Sequence, residues 1–165
     1  MLTNDNLISG TITCFKAGVF EAVDLLDKQI QALKVLTDQE TDEILYGGAA
    51  GGGKTWLGCE WLLWNCLAYP GTRWAIGRHH LKQIRESTIV TFRKVCKKHG
   101  IPSEWWKYNE PSVHITFTNG SEIVSVEMMH RPGDPEFDGF GSTEYTGAWI
   151  EEAGGVAAKA HEVLG

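Results

Sequence analysis

Residues 48 to 55 read Gly48-Ala49-Ala50-Gly51-Gly52-Gly53-Lys54-Thr55, the spacing G-x-x-x-x-G-K-[ST]. The chemistry open to such a segment is the cradling of a nucleoside triphosphate. Glycine backbone lets N–H groups turn inward around an anion. A helix beginning after Gly53 adds the positive end of its dipole. Lys54 brings a point charge to the β- and γ-phosphates, and the Thr55 hydroxyl is a ligand for Mg²⁺. A flexible glycine loop is the plain alternative. It leaves the lysine, the threonine and the flanking apolar runs as coincidence.

A second group stands at Ala148-Trp149-Ile150-Glu151-Glu152, an apolar run closed by two carboxylates. Neighbouring side chains of a strand point to opposite faces. One carboxylate past the strand end therefore suits the Mg²⁺ shell, and the other suits orienting an attacking water. Phosphoryl transfer needs both, because its catalysis is mainly positioning and charge neutralisation. The competing reading is an exposed acidic pair at a helix start. Gln29 is a third candidate, since a glutamine amide can both donate to and accept from an adenine edge. Gln31 and Gln39 compete with it, and a solvated glutamine is the default.

These residues need particular elements behind them. Glu43-Ile44-Leu45-Tyr46 reads as a short buried strand, with Ile44 to Tyr46 the first core strand. Lys54 to Tyr69 reads as the helix that follows, stopped by Pro70-Gly71. Phe20 to Leu36 carries a helical stripe at Val23, Leu26, Ile30, Leu33 and Leu36. Arg73 to Gly77 is a second strand, and Leu81 to His99 a long amphipathic helix with Gly100 as its stop. Val113 to Phe117 and Ile123 to Met128 are strands joined by an Asn119-Gly120 hairpin turn. Arg131 to Gly141 reads as a loop, Tyr145 to Ile150 as the last strand and Val156 to Leu164 as a helix. Alternating strands and helices imply an α/β sandwich on a mainly parallel sheet, whose ligands bind at the carboxyl ends of strands.

At 165 residues the chain is large enough for one domain with a real core. Its 42% hydrophobic and 22% charged content is that of a globular protein. No apolar run approaches the ~20 residues of a bilayer span, so no membrane partner is expected. The N-terminus has no basic secretory region. Cys14, Cys59, Cys66 and Cys96 lack C-x-x-C spacing, which implies a reduced, cytoplasmic chain without a metal framework. His79-His80 likewise lack companion ligands and read as loop residues. The net charge is −6, yet residues 61–100 hold eight basic groups and one acidic group. That cluster is either a polyanion-facing surface or the solvated face of a helix. Trp105-Trp106 beside Lys107 and Tyr108 read as packing rather than as a base-stacking platform.

The string Leu45-Tyr46-Gly47 through Lys54-Thr55 resembles the ATPase motor of tailed-phage terminase large subunits. Lys28-Gln29-Ile30-Gln31-Ala32-Leu33 is similar to that family's adenine-sensing segment. Tyr69-Pro70-Gly71 through Arg78, then Leu81 to Ser87, is similar to its second strand and the arginine after it. Gly141 through Gly154 is similar to its Walker B segment. The resemblance runs over about residues 25 to 164. It implies a P-loop fold of the RecA-like type, a three-layer sandwich with a β-hairpin insertion, spanning residues 25–165 after a lead-in over 1–24. It further implies ATP and Mg²⁺, with Gln29 on adenine, Gly48 to Thr55 on the phosphates, Thr55 and Glu151 on the metal and Glu152 activating water. The implied partners are double-stranded DNA, a portal, a small terminase subunit and further copies in a ring. The setting is the host cytoplasm.

Two departures stand out. Many members carry an arginine inside the phosphate loop, where this chain has Ala49 and Ala50. Arg78 and Arg131 are the substitutes, either within the chain or toward a neighbouring subunit. Many members also have aspartate where Glu151 stands. The family's nuclease domain does not fit before Gly165, so no nuclease activity is expected of this chain, whose Asp134, Glu136 and Asp138 share one loop. The alternatives to a packaging motor are another P-loop nucleic-acid motor of helicase or recombinase type, and a nucleotide-binding fragment with negligible turnover.

Overall fold

The computed structural model describes residues 11–12, 23–36, 38, 40–48, 51, 53–141 and 143–164. The chain divides into two compact units, residues 1–64 with 91–101 and residues 65–90 with 102–165.

In the first unit, β1 (Thr11–Ile12) pairs antiparallel with β2 (Val23–Asp24). Helix α1 spans Asp27–Leu36. It starts later than the stripe from Phe20 suggests, because the Gln29 side chain caps its beginning at Leu26: it accepts from the Leu26 N–H at 2.8 Å. Asp27 in the first turn and Lys34 in the last complement the helix dipole. Helix α2 (Lys54–Ala68) follows the glycine loop as expected. Ala32 and Leu33 of α1, and Leu57, Cys59, Leu62 and Leu63 of α2, are buried. So are Phe92, Val95 and Cys96 of a later helix. Burial, with the Glu60 charge adding to it, pushes the Cys96 thiol up to about 12, so it packs as a neutral group.

Ile44 to Tyr46 is not a strand. Residues 43–48 carry no regular structure, and Leu45 is 89% exposed. A strand exists through its ladder, and among the described residues no strand pairs with this short run.

The second unit is built on a five-stranded sheet ordered β4 (Trp106–Asn109), β5 (His114–Phe117), β6 (Glu122–Glu127), β3 (Arg73–Arg78), β7 (Gly147–Ile150). Central β3 runs parallel to both β6 and β7, while β4–β5 and β5–β6 are antiparallel. The fold is therefore α/β with a mixed sheet, not a mainly parallel one. The reason is the turn at Asn119-Gly120. It returns the chain directly into the same sheet, and a connection that short forces antiparallel pairing. Trp106 of β4 faces Phe117, which makes the second tryptophan an edge-strand packing residue. Strand β3 is buried beyond Arg73, as befits a strand covered on both sides.

Helix α3 (Leu81–Gln83), a π-helical turn (Ile84–Thr88) and α4 (Ile89–Lys98) run on without a break. The loop from Arg131 ends in a short helix, α5 (Asp138–Gly141), and a 3₁₀ turn at Ala153–Gly155 precedes α6 (Ala158–Leu164). Ala75, Val126, Met128, Phe137, Ala160 and Leu164 form the core of this unit. Gly77 sits where a Cβ would lie 2.2 Å from Met128 Sδ, so only glycine lets β3 pass this close. Among the described residues no helix is long and apolar enough to cross a membrane.

Candidate functional site

In the first unit the glycine loop closes on the start of α2. Lys54 Nζ donates to the Gly48 carbonyl at 2.8 Å. Gly53 has φ +72, and a Cβ there would lie 2.5 Å from Gln29 Nε2. A side chain at position 53 would be strained by the backbone and would have to displace the Gln29 amide. The Gln29 amide donates to the Gly53 carbonyl at 3.0 Å while its oxygen caps α1. Gln29 is buried, with both ends of its amide engaged. It is a strut between α1 and the loop. Ala49, Ala50 and Gly52 lie outside the described residues.

A buried polar network stiffens the same helix. Glu60 and His99 are 0% and 1% exposed, with Oε2 and Nε2 2.5 Å apart. The Trp56 indole N–H donates to the other Glu60 oxygen at 2.7 Å. Trp56 directly follows Thr55, so the network anchors the first turn of α2.

In the second unit the two carboxylates gather on one arginine. Arg78, at the end of β3, reaches Glu151 Oε2 through Nη1 at 3.1 Å and Glu152 Oε1 through Nη2 at 2.8 Å. Strand alternation predicts opposite faces for the two acids. It fails because β7 ends at Ile150 and Glu152 adopts a left-handed backbone, φ 56. A non-glycine residue held there costs about 1–3 kcal/mol, a strain that clusters at functional positions. Glu151 is buried and Glu152 largely exposed. Thr88 Oγ1 also donates to Glu151 Oε2.

The profile described as Terminase large subunit, T4likevirus-type, N-terminal, matches residues 45–161. The chain belongs to this family. Membership points to a role in phage DNA packaging. The match takes in the glycine loop, Arg78, Arg131, Glu151 and Glu152, while Gln29 precedes it. No curated protein matches the chain.

In this terminase chain Arg131 pairs with Glu127, as does His80 at 3.7 Å. Burial raises the Glu127 carboxyl, but the Leu81 N–H, Arg131 and His80 together hold it below its ordinary value. Asp134 accepts from the N–H groups of Asp138 and Gly139 at 2.8 and 3.1 Å and so caps α5. Among the described residues no group of three His, Cys, Asp or Glu side chains is placed to hold a metal. Taken unit by unit, the Lys54 ammonium, the Thr55 hydroxyl and the glycine backbone of the first are of types that suit a triphosphate or Mg²⁺, and the Glu151 carboxylate of the second is of a type that suits Mg²⁺. Sequence reasoning missed Thr88, Glu60 and His99. An acid between Cys59 and Trp61 in an apolar helix was a readable signal for Glu60. Thr88 gave none, because its partner lies 63 residues away.

Proposed function

We propose that this chain is the ATP-binding and ATP-hydrolysing motor of a phage terminase large subunit. Hydrolysis would drive double-stranded DNA into the capsid, working with a portal, a small subunit and further copies in a ring. The observation that carries the reading is the glycine loop itself. Lys54-Thr55 opens a 15-residue helix inside the family match, directly after Gly53, whose backbone conformation strains any side chain. Lys54 would neutralise the phosphates; Thr55 is a ligand type for Mg²⁺, and so is Glu151. The chemistry Mg²⁺ supplies when bound is further neutralisation of phosphate charge. Glu152, exposed and paired with Arg78, would orient the attacking water once that pairing loosens.

One observation favours a second reading, a chain that binds nucleotide with negligible turnover. Arg78 engages one oxygen of each acid at once, a pairing that competes with their roles in hydrolysis. Parallel measurement of ATP binding and of phosphate release, with and without duplex DNA, separates the two. Duplex-stimulated release supports the motor. Binding without release supports the second reading. Stimulation by single strands alone points to another nucleic-acid motor.

A further inference from the structure

The segment leading away from β3 contains one irregular turn. Ile84–Thr88 is π-helical, and the Ile89 N–H closes on the Ile84 carbonyl five residues back. In a regular α-helix, residues five apart point about 140° from one another. The wider turn lets Ile84, Thr88 and Ile89 all be buried, at 0%, 0% and 3% exposure. Such turns are rare and found mostly at functional positions.

What this turn delivers is a hydroxyl. Thr88 Oγ1 donates to Glu151 Oε2, the same oxygen that Arg78 Nη1 reaches at 3.1 Å. The Glu151 N–H is held in turn by the Gly77 carbonyl at 2.9 Å. Glu151 is therefore fixed at its backbone by β3 and at one carboxylate oxygen by two further groups.

We propose that Thr88 is a positioning residue for Glu151, setting the carboxylate orientation in which it would serve as an Mg²⁺ ligand. This rests on the reading of Glu151 as a metal ligand given above. Groups that orient a metal's ligands commonly matter to its affinity almost as much as the ligands do.

The test is an Mg²⁺ titration of the binding of a fluorescent, non-hydrolysable ATP analogue to the full chain. Thr88→Val removes the donor at nearly constant shape, and Thr88→Ser keeps it. The valine variant should raise the Mg²⁺ needed for half-saturation by about tenfold, with the serine variant within about twofold of wild type. Combined with Glu151→Gln, Thr88→Val should add no further shift, because its effect runs through that carboxylate. A wild-type Mg²⁺ dependence in Thr88→Val overturns the proposal, and so does an undiminished shift in the Glu151→Gln background. Melting curves report folding. If the valine variant is unfolded, Thr88→Ala is held to the same criteria. A wild-type chain with no Mg²⁺-dependent nucleotide binding refutes the ATPase reading itself, which is a different result.

Discussion

Arg78 and Glu151 form an ion pair 3.1 Å long whose side chains are only 9% and 7% exposed. A buried charge that loses its partner is left uncompensated, and that typically costs about 3–5 kcal/mol. Arg78→Ala should lower the unfolding free energy by about this amount in urea titrations. Arg78→Lys should recover only part, because an ammonium lacks the fork that spans Glu151 and Glu152 together. A loss of under about 1 kcal/mol would mean that the pair behaves as an exposed one.

The Glu60–His99 pair makes a sharper comparison. His99→Ala removes a hydrogen-bond partner from the fully buried Glu60 side chain, and should cost about 1–3 kcal/mol. The exposed Lys82–Glu86 pair, 3.7 Å long at i,i+4 spacing, should change stability by no more than about 0.5 kcal/mol when Lys82 becomes alanine. Thermal melts of the two variants side by side decide it. Equal losses would mean that the imidazole is not what holds Glu60.

Acid should loosen the sheet through Glu122. Burial raises this carboxyl, but Arg73 and His114 outweigh it and hold it below its ordinary value. A group whose folded pKa is depressed contributes its stability fully above its unfolded pKa. It loses that contribution as pH falls through the folded value. The window lies below about pH 4.3, the ordinary value for glutamate. In Glu122→Gln the urea midpoint should fall less steeply with acid over that window than in wild type. Parallel curves would show that the ion pairs add nothing measurable.

The two acids should separate by phenotype. Glu152→Gln should keep Mg²⁺-dependent ATP binding while hydrolysis drops by roughly a hundredfold, the scale of losing a positioned base. Glu151→Gln should instead weaken the response of nucleotide binding to Mg²⁺. Reversed phenotypes would exchange the two roles.

What the sequence made legible was local. The helix read from Lys54 to Tyr69, the strand from Arg73 to Gly77 and the Asn119-Gly120 turn carry their signals within a few residues, and each formed, the helix ending at Ala68 and the strand at Arg78. Trp106 to Asn109 alternates burial along β4, yet two adjacent tryptophans mask so short a pattern. Ile44 to Tyr46 has the composition of a strand without a partner strand, and composition does not disclose partners. The π-turn and the Thr88–Glu151 hydrogen bond depend on a contact across 63 residues, which no local window contains. The site residues were legible as types and spacings. Their pairings, Arg78 with both acids and Gln29 with Gly53, were not.

The most direct measurement is steady-state phosphate release from Mg-ATP by the purified chain and by Lys54→Ala, at concentrations where wild type assembles and with duplex DNA present. Lys54 is the cation at the start of α2, and its loss should abolish turnover and weaken nucleotide binding. Hydrolysis by wild type that vanishes in Lys54→Ala is the predicted result. Hydrolysis that persists unchanged in Lys54→Ala would contradict the account.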